Sequence, residues 1–259
     1  GAGSQNEPKF IILEYLNATK KEKPIVFIGK SITFDSGGIS LKSGEGMDEM
    51  KMDMSGGGAV FGAIKAIVEL NLKANVIGLI PACENMPSGT SYKPGDILQA
   101  FNKKTIEVLN TDAEGRIILA DALSYAKKYK PKNVIDLATL TGACMVALGT
   151  QRAGLFGNNQ KLIDVINKKG EEINELVWPM PLDPEYSEQI KSKIADVRNL
   201  AASKYGGAIT AAAFLQEFTD YDWAHIDIAP VAWGENKPGY SLGATGFGVH
   251  LLVELLKNK

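Results

Sequence analysis

Short β-branched and aromatic runs that end in glycine alternate along the chain with segments whose apolar residues recur every three or four positions. Ile25, Val26, Phe27 and Ile28, between Pro24 and Lys30, predict a buried strand that stops at a glycine. From Gly56 to Asn71 the residues Val60, Ile64, Ile67 and Val68 fall at helical spacing, and Ala74 to Pro81 predicts a second buried strand. Ile97 to Val108 reads as a hairpin around Asn102 and Lys103, and Ile117 to Tyr129 as a helix. Asn133 to Ala138 reads as a strand entering a Thr- and Gly-rich loop at Thr139 to Gly142. Ala208 to Phe218 and Phe247 to Leu256 predict helices, with a strand at Ala224 to Ala229 between them. This rhythm predicts an α/β fold, with a mixed, largely parallel central sheet and helices on both faces. No internal repeat or low-complexity segment divides the 259 residues, so a single domain is expected, led by a polar, linker-like stretch from Gly1 to Pro8.

Composition narrows the partners more than the fold. With 45% hydrophobic and 22% charged residues, the chain has material for a substantial core. Its 28 basic and 30 acidic residues give a net charge of −2, without the basic surplus that phosphate backbones select, so nucleic acid is not the expected main partner. Cys83 and Cys144 are too few for a disulfide framework and are not spaced as a metal-binding pair, which favours a reducing compartment. Apolar runs are broken well before the ~20 residues of a membrane span, and no signal-peptide pattern is present.

Only His225 and His250 are available, so a metal site would have to rely on oxygen ligands rather than on a histidine-rich zinc pattern. Carboxylates beside glycines therefore draw notice. They lie in Gly29 to Gly38, in Met52 to Gly58 and in Asn110 to Arg116, with Lys42 between the first two. Asp112, Glu114 and Arg116 alternate and would share one face of an extended segment; alternatively, Thr111 and Glu114 form a capping box opening the helix. Asp35 before Ser36-Gly37-Gly38 fits an Asx-turn as well as a ligand, and Ser55 to Gly58 could start a helix or cradle phosphate, although no P-loop spacing is present. Lys30 and Lys42 would ordinarily be surface cations. No serine sits in a G-x-S-x-G frame. The cysteines read as buried core residues, His225 as a satisfied strand histidine, and Met47, Met50, Met52 and Met54 as core filler.

Together these segments closely resemble the leucyl aminopeptidase, or cytosol aminopeptidase, family. N-T-D-A-E-G-R is intact at Asn110 to Arg116, and G-K-x-I-T-F-D-S-G-G at Gly29 to Gly38. Asp53, Glu84 to Gly89, Lys93 to Asp96 and Ala138 to Ala143 follow in family order, and the likeness runs on from Trp223 to Leu252. The resemblance implies a zinc-peptidase-like α/β domain in which Lys30, Asp35, Asp53, Asp112 and Glu114 hold two divalent ions, Mn²⁺ or Zn²⁺, with Asp35 and Glu114 bridging. A ligating Lys30 must be neutral, which at pH 7 costs roughly 4 to 5 kcal/mol. It further implies that a metal-bridged hydroxide attacks the scissile carbonyl, that Lys42 stabilises the resulting oxyanion, and that Arg116 holds a bicarbonate acting as general base. Met50, Asn110, Thr139, Leu140 and Gly142 match positions that shape the substrate pocket. The expected activity is removal of leucine and other residues from peptides with a free amino terminus, by a cytoplasmic hexamer serving protein turnover. Family members usually carry a separate amino-terminal domain, so the short leader reads as a linker remnant. A regulatory DNA-binding role, an inactive structural domain and phosphate-ester hydrolysis are the rival readings; mild acidity counts against the first and intact Lys42, Arg116 and ligands against the second.

Overall fold

The computed structural model describes residues 1–234 and 242–257; residues 235–241, inside the last stretch of resemblance, lie outside the described residues. The strands are β1 (Lys9–Leu16), β2 (Ile25–Gly29), β3 (Ser31–Asp35), β4 (Asn75–Asn85), β5 (Ile97–Gln99), β6 (Thr105–Glu107), β7 (Asn133–Ala138), β8 (Ala153–Gly157), β9 (Val177–Pro179), β10 (Val197–Arg198), β11 (Trp223–Asp227), β12 (Trp233–Gly234) and β13 (Gly243–Ala244). The helices are α1 (Ser55–Glu69), α2 (Glu114–Ala126), α3 (Gly142–Leu148), α4 (Gln160–Ile173), α5 (Pro184–Glu188), α6 (Gly207–Gln216) and α7 (Val249–Lys257). The central sheet has eight strands in the order β1-β4-β2-β7-β11-β8-β9, with β3 pairing the far end of β4. Its pairs are parallel except β1 with β4 and β11 with β8, so the sheet is mixed and largely parallel, as the element rhythm predicts. Strands β5 and β6 form the expected hairpin outside it, turning through Lys103 at φ 76°.

Period-2 alternation sends the β2 residues to opposite layers. Ile25 and Phe27 join α1, α4 and α7 in one core cluster through residues such as Val60, Ile67, Ile166 and Leu252. Val26 and Ile28 join α2 and α6 in the other, against Leu119, Leu123, Phe214 and Trp223. The chain leaves β2 through α1 on one face to reach β4, then returns through α2 on the other face to reach β7, on the opposite side of β2. The carboxyl ends of β2 and β7 thus flank a topological switch point, where open α/β sheets place their ligand crevices.

Helix α1 meets the sheet almost backbone to backbone there. A Cβ on Gly56 would lie 2.1 Å from the Leu137 carbonyl oxygen, and one on Gly29 would lie 2.3 Å from the Gly56 oxygen. Gly57 N–H donates to the Lys30 carbonyl at 2.8 Å, and Gly58 N–H to Met54. The glycine-rich start of α1 therefore serves close packing, and the Gly57 and Gly58 N–H groups are spent inside the fold, which argues against a phosphate cradle. Strand β1 and helix α4 are elements that the hydrophobic pattern did not announce. The leader is not extended: Ala2 accepts a hydrogen bond from Thr90 and Ser4 bonds Glu84.

Candidate metal centre

Lys30 occupies the break between β2 and β3, where its N–H bonds the Leu137 carbonyl at 3.0 Å and its side chain turns inward. It is 3% exposed, so the expectation of a surface cation fails. Its ammonium donates to Asp53 at 2.8 Å and to the Thr139 carbonyl at 3.0 Å, and lies 3.0 Å from Glu114 Oε1. Burial alone would depress its pKa, but Asp53, Glu114 and Asp35 outweigh that and raise it above the ordinary lysine value. Asp53, just before α1, also accepts from the Thr139 hydroxyl at 2.8 Å.

A register shift in the β3–β4 ladder between Ile32 and Asp35 brings Asp35 opposite Asn85. Asp35 Oδ1 accepts from Gly37 N at 2.9 Å, so the Asx-turn forms, and Gly37 and Gly38 adopt φ of 86° and 70°. The turn and a ligand role are compatible. Lys42 reaches back to Asp35 Oδ2 at 3.0 Å and to Asp112. Burial works against the charged form of Asp35, but Lys30 and Lys42 prevail and hold it below the usual carboxylate range.

The segment carrying Asp112 and Glu114 is not extended. Glu114 is the first residue of α2, so the two carboxylates converge because Asp112 sits in the preceding turn, not through period-2 alternation. Nor is there a capping box: Ala113 is the N-cap, and the Thr111 hydroxyl instead donates to the Gly37 carbonyl at 2.6 Å and accepts from Ser40 N at 2.8 Å. Thr111 thereby staples the Asp35 turn to the Asp112 turn. Arg116 points into the protein, where Nη1 donates to the Asn199 carbonyl at 2.7 Å and Nε has no hydrogen-bond partner among the described residues. Burial lowers its pKa to about 10.

Oxygens of Asp35, Asp112 and Glu114 lie within 4.8 Å of one another, and Asp53 approaches from the Lys30 side. Four carboxylates face two ammonium groups here, an excess of negative charge that buried Arg116 offsets only in part. The excess is visible in the acids themselves. Burial, reinforced by Glu114 and Asp35, pushes Asp53 up to about 7 despite Lys30, and burial pushes Asp112 up to about 6 despite Lys42. Closely spaced hard oxygen donors short of positive charge are the donor set that divalent cations satisfy. Lys30 enters that set only by giving up a proton and its present acceptors.

A cavity of about 280 Å³ opens above the cluster. Lys30, Asp35, Lys42, Asp53 and Asp112 line it, together with Met50, Thr139, Leu140 and Gly142. Of the sequence-predicted residues, Glu114 and Arg116 lie buried beneath it, and Asn110 stands aside, accepting from Asp112 N at 2.7 Å. The methionine segment is not core: Met47–Met52 is a 3-10 turn with no buried residue, and Met52 lines the cavity beside Met50. Met145, Thr141 and Ala229 also line it and were not anticipated. Cys144 is buried, whereas Cys83 is only half-buried. His225 is fully buried with Nδ1 2.6 Å from Asp136 Oδ1, but its Nε2 lacks a hydrogen-bond partner among the described residues, so it is only half satisfied.

Two organising residues escaped the sequence reading. Asp227 accepts from Leu140 N at 3.1 Å and from the Thr141 hydroxyl at 2.7 Å, fixing the loop that floors the cavity. Asn199, beside β10, accepts from Leu109 N at 2.8 Å and donates to the Asn110 carbonyl at 2.6 Å, clamping the entry to the Asp112 turn.

The model of the cytosol aminopeptidase family, catalytic domain, matches residues 1–253. The chain is 52% identical over 261 residues to a probable cytosol aminopeptidase of Geobacter sp. (strain M21), covering 100% of this chain and 53% of that protein. It is 54% identical over 257 residues to a probable cytosol aminopeptidase of Geobacter sulfurreducens, covering 98% and 52%. Against one from Cenarchaeum symbiosum the identity is 52% over 265 residues, covering 100% and 54%. The chain thus spans about half the length of the curated relatives it matches. With a family model spanning nearly all of it and a cavity floored by the carboxylates of its motifs, the chain belongs to the cytosol aminopeptidase family.

Proposed function

We propose that this domain is a two-metal aminopeptidase that releases the first residue of peptides with a free amino terminus. The observation that carries the reading is the convergence of Asp35, Asp112 and Glu114 within 4.8 Å, beside Asp53 and Lys30, under a small cavity. Two divalent ions held by Lys30, Asp35, Asp53, Asp112 and Glu114 supply, when bound, a water of lowered pKa and polarisation of the scissile carbonyl. The donor set fits Mn²⁺ and Zn²⁺ alike.

The protein's own groups supply the rest. Lys42 stands at the cavity wall with its ammonium poised between Asp35 and Asp112 and its pKa raised against the pull of burial, so it stays charged to stabilise a developing oxyanion. Arg116 keeps one buried donor, Nε, unmatched, which fits a small planar anion; the bicarbonate the family implies would supply a base there. Met50, Thr139, Leu140 and Gly142 shape a space at the lower end of the ~300–1,000 Å³ of small-ligand pockets, sized for one residue rather than a folded chain. A cytoplasmic hexamer acting in protein turnover belongs to the same reading; no helix of the described residues is long and apolar enough to cross a membrane.

The test is hydrolysis of leucine amide and of N-acetyl-leucine amide after loading with Mn²⁺ or Zn²⁺. Cleavage of the first alone, lost in Asp35→Ala and Asp112→Ala, supports the proposal. No cleavage at any metal load, or equal cleavage of the blocked substrate, would sink it.

A further inference from the structure

The last residue of β4 is an asparagine, Asn85, 5% exposed and register partner of Asp35. It lies in the Glu84 to Gly89 motif, to which no part of the proposed chemistry assigns a task. Its Nδ2 lies 2.8 Å from Asp35 Oδ1, 3.0 Å from the Thr111 carbonyl and 3.4 Å from Glu114 Oε2. One amide nitrogen thus faces acceptors on two of the three chain segments that build the cluster, Asp35 on one and Thr111 and Glu114 on the other. It has two protons, so Asp35 and Thr111 take the short bonds and Glu114 a longer, shared one. The opposite amide orientation would press the Asn85 oxygen against three acceptors, so these neighbours fix which way the group points.

The asparagine is itself held from behind. Its carbonyl accepts from Ser36 N at 3.0 Å and from the Ser36 hydroxyl at 2.7 Å, which ties its backbone to the residue after Asp35. Lys30 and Lys42 also bind the carboxylates, but as cations they compete with a metal ion for the same charge. Asn85 orients the acids without neutralising them, and it leaves their remaining oxygen lone pairs free.

We infer that Asn85 is the positioning residue of the carboxylate cluster, bracing Asp35 and Glu114 in the arrangement that takes up divalent metal. The inference rests on the two-metal reading above. Partners that orient metal ligands in this way change affinity by about 10- to 100-fold when removed.

Mn²⁺ binding to the folded protein, followed by calorimetry and by electron paramagnetic resonance of free Mn²⁺, tests it in wild type, Asn85→Leu and Asn85→Ser. Leucine keeps the volume and loses the donor; serine is too short to reach Asp35 and serves if the leucine variant does not fold. The expected result is an affinity lowered by about 10- to 100-fold, measured well below the melting temperature of each metal-free variant. A residue that only supports the fold would lower that melting temperature and leave the affinity of the folded fraction unchanged, and wild-type affinity in either folded variant overturns the inference while the two-metal reading stands. A wild-type protein that takes up no Mn²⁺ overturns both.

Discussion

Gly115 offers a way to disturb the site without deleting any side chain in it. It lies in the first turn of α2, between Glu114 and Arg116, and a Cβ there would sit 2.6 Å from Lys30 Cε, 2.8 Å from Nζ and 2.9 Å from Cδ. Non-bonded carbons settle near 3.5–4.0 Å, so in Gly115→Ala the lysine must retreat by roughly 1 Å. A surface lysine would swing aside freely, but this one is 3% exposed with its ammonium fixed by Asp53, Thr139 and Glu114. Alanine favours a helix over glycine by roughly 0.5–1 kcal/mol, while overpacking a core costs about 1–3 kcal/mol, so helix propensity offsets only part of the packing cost and a net loss of up to about 2.5 kcal/mol remains. Function has no such compensation, because a displacement of about 1 Å at a reacting centre costs on the order of 100-fold in rate. The expected outcome is a melting temperature lowered by less than about 10 °C, with kcat/KM on an amino-acid amide of the still-folded protein down by about 100-fold. A double-mutant cycle localises the effect: in a Lys30→Ala background the added methyl should no longer weaken Mn²⁺ binding. Gly115→Ala with undiminished kcat/KM and Mn²⁺ affinity would refute the reasoning.

The raised carboxylates give a pH dependence. Asp53 at about 7 and Asp112 at about 6 bind protons more tightly in the metal-free folded protein than in the unfolded chain; their contribution to stability therefore falls as pH rises from about 4 towards 7. A bound cation must displace those protons, so the rise in melting temperature on adding Mn²⁺ should grow between about pH 5.5 and 8; a rise that shrinks over that range contradicts the charge argument. Asn199→Ala leaves the Leu109 N–H and the Asn110 carbonyl without their partner, and because both bonds are only partly buried the loss should be about 0.5–1.5 kcal/mol for each. Chemical denaturation should show a loss of that order, and unchanged stability would mean that the clamp carries no load.

Parts of the architecture could be read directly. Strands β2 and β7 announce themselves because they are buried on both faces, and burial on both faces demands an unbroken apolar run. Strand β1 carries such a run too, Phe10 to Leu13, yet Phe10, Ile11 and Ile12 stand exposed at the sheet edge, so the run that marks burial elsewhere does not mark it here. Helix α4 turns Ile163 and Ile166 to the core at helical spacing, but amid lysines and glutamates that dilute the apolar pattern. At the site, local rules misled where tertiary contacts took over. Thr111 has the spacing of a helix cap, yet its hydroxyl is claimed by Gly37 and Ser40, residues more than seventy positions away. Lys30 reads as a surface cation by residue type, and only the meeting of β2 with β7 reveals that its side chain has nowhere to go but inward. Asn85 lies in a motif the sequence offers, but nothing local says what it holds, and Asn199 carries no signal of its own, because the partners of both lie in other segments. The resemblance pointed to the clustered acids; it took the backbone to show what positions them.

The carboxylates of the cluster reach one another from positions 35, 53, 112 and 114, and the lysine among them leans on a carbonyl at position 139. No contiguous stretch of the chain contains the arrangement. During synthesis, with the amino-terminal part emerging first, Asp35 and Asp53 are exposed long before α2 and β7 exist to meet them. The cluster therefore has no partial version, and the arrangement arrives only when the sheet closes. Until then the chain presents separate acids and no assembled donor set.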